Sequence, residues 1–171
     1  IITPVVMIMA FIFVMFYYES LHAGWLMVLP MLYATILTYG YMGFMNIGIS
    51  VNTIPVIAVG VGVGIDYAVY IMDRIREEYE ETHDLRESVL RALSTTGLAV
   101  GFTAATLIAG VIMWVILSDL RFQSDAALLL TVMVALNAVA AVLLVPAWVM
   151  AFKPKFITAA HRDADGILQN N

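Results

Sequence analysis

Apolar residues run along this chain in long blocks separated by short polar stretches. Windows of about 20 apolar residues, the length that crosses about 30 Å of hydrocarbon, fall near residues 4–18, 25–45, 52–73, 97–117 and 124–150. The pattern predicts five transmembrane helices, an odd number that puts the two ends of the bundle on opposite sides. The opening run "IITPVVMIMAFIFVMFYY" has no basic segment before it and no small-residue cleavage site after it. It therefore reads as a membrane helix entered partway rather than a signal peptide, and the chain as a piece of something longer. Pro4 suits a helix N-terminus, Pro30 and Pro55 are expected in the first turns of their helices, and Pro146 is expected to kink the last span.

The longest polar interruption, "DRIREEYEETHDLRESVLRALSTTG", is too charged to cross a bilayer and predicts a connection over 74–96. Leu85, Val89 and Leu93 recur at i, i+4 and i+8, and Glu87 and Arg91 stand four apart, which predicts an amphipathic helix lying on the membrane face. The acidic run Glu77, Glu78, Glu80 and Glu81 reads as a solvated helix face, with a docking patch as the alternative. Residues 153–171, ending "HRDADGILQNN", read as a frayed tail.

Composition strengthens the membrane reading. The 171 residues are 63% hydrophobic and 12% charged, too apolar for one soluble core. The net charge of −5, with no basic stripe, argues against nucleic acid as a partner. Zero cysteines exclude a disulfide framework, and His22, His83 and His161 lack metal-ligand spacing, so no metal or cofactor is expected. The basic residues orient the bundle: Arg74, Arg76, Arg86, Arg91, Lys153, Lys155 and Arg162 fall in the connection or the tail, against Arg121 alone on the other face. By the positive-inside rule the connection and the C-terminal tail are cytoplasmic, and the loops 46–51 and 118–123 lie outside.

One residue conflicts with its surroundings. Asp66 is the only charge between Ile54 and Met72. An aspartate at a bilayer centre costs about 3 kcal/mol on insertion scales and usually faces a bundle interior, a partner or a water-filled path. Arg74 is eight residues on, about 12 Å of helix rise, which puts Asp66 beyond snorkelling reach of the headgroups. Gly60, Gly64 and Ala68 recur every four residues and form a small-residue stripe for close helix packing. Gly62, one turn before Asp66 and off that stripe, leaves room beside the carboxyl group. Tyr67 is about 100° further round the helix, so it and Asp66 address different neighbours. Thr103 and Thr106, three apart on the fourth span, are candidate hydroxyl donors to Asp66, although threonine commonly bonds its own i−4 carbonyl. Asn137, midway along the fifth span, is a candidate supporting group or simply a polar tie between helices.

The "GIDYAVY" core of the third span, the following "RIREEYEE", the small- and threonine-rich "TTGLAVGFTAATLIAG" and the closing "LNAVAAVLLVPAWV" together resemble the resistance-nodulation-division superfamily, in its MMPL and hopanoid-exporter branch. The resemblance covers about residues 1–152. It implies an all-α membrane protein: five transmembrane helices and a cytoplasmic-face amphipathic helix, forming half of a pseudosymmetric twelve-helix bundle in a bacterial inner membrane. It also implies that Asp66 and Tyr67 form a proton relay with a reciprocal Asp-Tyr pair on the other half. The implied partners are that other half, extracytoplasmic porter domains and a lipid or other hydrophobic substrate, with a homo-oligomer left open. The drug-efflux branch of the superfamily carries a membrane lysine, and no span here has one. A charged tail after the fifth span favours the C-terminal half. The alternative is a sterol-sensing-like bundle that binds or senses lipid without transport. An intramembrane aspartyl protease would need Gly-x-Gly-Asp and a second aspartate, but Ile65 interrupts the first and no other span holds an interior acid. No enzyme activity is expected.

Overall fold

The computed structural model describes residues 2–48, 53–117, 120–153 and Ile157. Six α-helices account for almost all of them: α1 (Ile2–Tyr18), α2 (Leu21–Met45), α3 (Thr53–Thr82), α4 (Leu85–Ala92), α5 (Leu98–Leu117) and α6 (Arg121–Phe152). A π-helical turn, Leu93–Gly97, joins α4 to α5. Four continuous helical stretches are long and apolar enough to cross a membrane, namely Gly24–Met45, Thr53–Thr82, Leu85–Leu117 and Gln123–Phe152, and α1 is a shorter apolar helix. This is an all-α membrane protein, and α1, α2, α3, α5 and α6 overlap the five predicted spans in order.

α6 is the central helix, packed against α2, α3 and α5, while α1 packs on α2 and α3. The larger core cluster gathers Met27, Ile71, Met72, Ile75, Val145 and Val149. A smaller one joins Met31, Ile57, Val61, Leu129 and Met133. Asn46 and Lys153, past the ends of α2 and α6, take left-handed conformations that return their N–H groups to the last helical turn.

Three expectations change. Pro30 is not in a first turn but well inside α2, which begins at Leu21. The polar boundary near residue 73 does not end the third helix, which runs unbroken to Thr82. Arg, Glu and Ile in "RIREEYEE" are compatible with helix, and Arg74–Glu77 (2.7 Å), Arg74–Glu78 (2.5 Å) and Arg76–Glu80 (3.9 Å) pair along the helix surface. Hydropathy ends at the membrane surface; helix propensity does not. Finally, Glu78 is not on a solvated face. It is 6% exposed, because its carboxylate is held by Arg74 and, at 3.8 Å, by Arg91.

The predicted amphipathic helix is α4, with the Glu87–Arg91 pair at 2.6 Å. Asp84 caps it by accepting from the Arg86 N–H at 2.8 Å. Its buried side, Ser88, Val89 and Ala92, packs mainly on α3. The apolar stripe read as membrane-facing is thus largely spent on the extension of α3. The tail expectation falls mostly outside the described residues, as do parts of the loops 46–51 and 118–123. Ile157, within the predicted tail, is buried in the larger core cluster.

Candidate functional site

The two faces of α3 carry different chemistry. On one, Gly60, Gly64 and Ala68 are all buried. A Cβ on Gly60 would collide with the Met133 side chain, and one on Gly64 with the amide of Asn137. The small-residue stripe therefore receives two side chains of α6, four residues apart and in register with the glycines. The Asn137 Nδ2 donates to the Gly60 carbonyl oxygen at 2.8 Å, while its Oδ1 is buried without a partner. Asn137 is a tie between helices, pointing at α3 through the gap the glycines leave.

On the other face Val59, Gly62, Asp66 and Tyr70 are exposed at i, i+3, i+7 and i+11. Nothing lies within 4 Å of where a Gly62 Cβ would be, so the space beside the Asp66 carboxyl is open. Tyr67 goes the other way: it is 3% exposed, and its hydroxyl is buried without a hydrogen-bond partner. The adjacent pair thus has one open member, Asp66, and one buried member, Tyr67.

Thr103 and Thr106 are exposed on α5, and each donates its hydroxyl to its own helix, to the Ala99 and Phe102 carbonyl oxygens at 2.9 Å. These are local i−4 bonds, so the hydroxyl protons are not directed at Asp66. Thr103 nevertheless borders a cleft of about 360 Å³ between α3 and the start of α5, where Tyr67, Asp73, Arg74, Glu77 and Thr96 are also found.

Asp73 escaped the sequence reading. Two turns after Asp66, it accepts a short hydrogen bond from the Tyr18 hydroxyl and a longer one, 3.4 Å, from Tyr17. The signal was half visible, since an acid at the polar end of a span needs partners. Those partners lie 55 and 56 residues earlier, a separation no local pattern announces. Among the described residues no three His, Asp or Glu side chains converge as a metal site requires.

Known proteins bear on this geometry. The model of the MMPL family matches residues 1–166. A membrane protein of Methanocaldococcus jannaschii is 32% identical over 108 residues, 63% of this chain and 28% of that protein. A trehalose monomycolate exporter of Mycobacterium tuberculosis is 39% identical over 59 residues, 34% of this chain and 6% of the exporter. An exporter of mycolic acid-containing lipids from Mycolicibacterium smegmatis is 40% identical over 52 residues, 30% of this chain and 6% of that exporter. The chain thus spans less than a third of the length of these relatives. No solved structure matches.

Proposed function

The chain belongs to the MMPL family, and from that premise we propose that it is the membrane-embedded, proton-relay part of an exporter driven by the proton-motive force. Its cargo is a lipid or another hydrophobic molecule, the class named for two of its relatives. It works with a second half that presents a reciprocal Asp-Tyr pair, and with extracytoplasmic domains that handle the cargo. The connection 74–96 and the C-terminus face the cytoplasm of a bacterial inner membrane.

The observation that carries this reading is the divided environment of the pair. Asp66 stands on an open stripe of α3, and the Tyr67 hydroxyl is buried with its hydrogen-bonding capacity unused. A buried hydroxyl without a partner costs about 1–3 kcal/mol, so a partner group is expected when the whole transporter is assembled. An Asp on the facing half supplies an acceptor to Tyr67, and a Tyr there supplies a donor to Asp66.

The chain's own residues then act as follows. Asp66 takes a proton and loses its charge, which removes the cost of holding a carboxylate in hydrocarbon. Losing the proton restores the charge and the demand for a polar neighbour. Moving one charge through 100 mV is worth about 2.3 kcal/mol, enough to bias the packing of one half against the other. Gly60, Gly64 and Ala68 keep α3 seated on α6 during this cycle.

The test is Asp66→Asn in the full-length parent. Export driven by a proton gradient is expected to be lost, with membrane abundance within about twofold of the parent because the neutral amide is cheaper to bury. Export at the parental rate would end the relay reading and favour a lipid-sensing bundle.

A further inference from the structure

We propose that Glu78 is a positioning residue: its carboxylate clamps α4 to the extension of α3, and through α4 it fixes where α5 stands relative to α3 while the transporter works. The effect on export rests on the relay reading above; the clamp itself does not.

Glu78 is buried, and its two carboxylate oxygens turn to different helices. One meets the Arg74 guanidinium of α3 at 2.5 Å, and the other meets Arg91 of α4 at 3.8 Å. Arg74 also holds Glu77 at 2.7 Å, and Arg91 also holds Glu87 at 2.6 Å, each pair within its own helix. Glu78 thus joins two local ion pairs into one network across the α3–α4 junction. A second tie lies one turn further on. The Thr82 and Ser88 hydroxyl oxygens stand 2.7 Å apart, with the Glu78 and Asp84 carbonyl oxygens in reach of them at 2.8 and 2.6 Å. Ser88 and Ala92 are buried and small, which lets α4 come close to α3.

Packing alone does not call for a carboxylate here. Replacing a buried ion pair by apolar side chains of similar volume is often neutral or stabilising. What the charge adds is direction. A desolvated acid is compensated only while both guanidinium groups stay in place, so sliding or turning α4 strips Glu78 of one partner. Helix α4 therefore has one favoured station on α3.

Helix α5 needs such a fix. It buries only Val100 and Ala104, and it packs on α6 but little on α3. Its link to α3 runs instead through α4 and the π-helical turn, both of which pack on α3. These elements and α5 form one continuous helical stretch, Leu85–Leu117. A displacement of α3 reaches α5 through the Glu78 joint, and without the joint the two helices move independently.

The experiment uses the full-length parent with its other reactive cysteines removed. Glu78→Gln leaves Arg74 with Glu77 and Arg91 with Glu87. No buried charge is then left uncompensated, so membrane abundance is expected to stay within about twofold of the parent. Proton-driven export is expected to fall about three- to thirtyfold, the range for residues that modulate coupling without touching a ligand. Spin labels on Glu81→Cys and Leu98→Cys, both exposed positions, read the joint itself. The distance distribution between them is expected to be narrow with Glu78 in place and broad with Glu78→Gln. Arg91→Gln should broaden it likewise, and decides the point should Glu78→Gln fail to accumulate.

A rescue separates positioning from general damage. Thr82→Cys with Ser88→Cys replaces two hydroxyls whose oxygens are 2.7 Å apart, close enough for a disulfide. Added to Glu78→Gln, the oxidised pair is expected to restore export, and reduction to remove it again. A distribution that stays narrow without Glu78 or Arg91 would overturn the clamp. Parental export with Glu78→Gln, or a loss that the disulfide does not repair, would overturn its role in export. Asp66→Asn is expected to abolish export and leave the distribution narrow, so failure of the relay and failure of the clamp give different results.

Discussion

α3 and α5 are both apolar helices rich in small residues, yet they occupy the bundle differently. The most apolar stretch of Leu85–Leu117, which contains α5, has a mean hydropathy of 2.3, against 1.9 for α3, but only 11% of it is buried against 39%. In α5 only Val100 and Ala104 are buried, and its Gly101 and Gly110 have nothing within 4 Å of a would-be Cβ. In α3 Gly60 and Gly64 are filled by α6. Hydropathy thus reports that a helix can enter the membrane, while the depth of its packing depends on whether small residues meet a partner of matching register. The less apolar helix is the better packed one, and it carries the acid.

The contrast is broken most forcefully by giving each helix a bulky side chain where it has none. Gly64→Leu should cost more than about 3 kcal/mol, since the leucine must displace Asn137 and push α6 away. Gly110→Leu should stay within about 0.5 kcal/mol. Folded yield and thermal unfolding in detergent, compared by size exclusion, measure both, and equal damage at the two positions would mean that α5 is packed after all.

A smaller effect is expected from Asn137→Ala. It removes the 2.8 Å bond to Gly60 and should cost about 1–2 kcal/mol, the upper range for interhelical hydrogen bonds in membranes plus some lost packing. Export should fall no further than the folded amount does. A drop in export at unchanged abundance would move Asn137 from the tie to the relay.

Smallest of all should be Thr106→Val, whose hydroxyl serves only the Phe102 carbonyl among the described contacts. Stability should change by less than about 0.5 kcal/mol, with export unaltered. A large loss of export would show that the hydroxyl turns towards the relay in the assembled transporter.

Much of this was legible in the chain. The five apolar blocks mark the helices, and the four-residue spacing of Gly60, Gly64 and Ala68 marks the packed face, because both are periodic properties of one segment. So is the divergence of Asp66 and Tyr67. What escaped is relational. The burial of Glu78 needs Arg91 from α4 as well as Arg74 from its own helix. The extension of α3 to Thr82 has another cause: polarity marks a boundary near residue 73, although the charged stretch is itself helix-forming. Pro30 differs because α2 begins at Leu21, four residues ahead of the predicted apolar block.

Tyr18 and Asp73 give the bundle a pivot. Their hydrogen bond fastens one end of α1 to α3, and near the opposite end of α1 Thr3 is tied to Tyr39 of α2. A tilt of α3 that preserves the Asp73 joint is therefore a swing about that point, and its amplitude grows with distance from it. The start of α3 at Thr53 is twenty residues from the joint and Asp66 is seven, about 30 Å and about 10 Å of rise. A swing of about 5° then moves Asp66 by about 1 Å and the Thr53 end by about 3 Å. Distance from the Asp73 joint thus sets the scale of such a tilt, with the Thr53 end displaced about three times as far as Asp66.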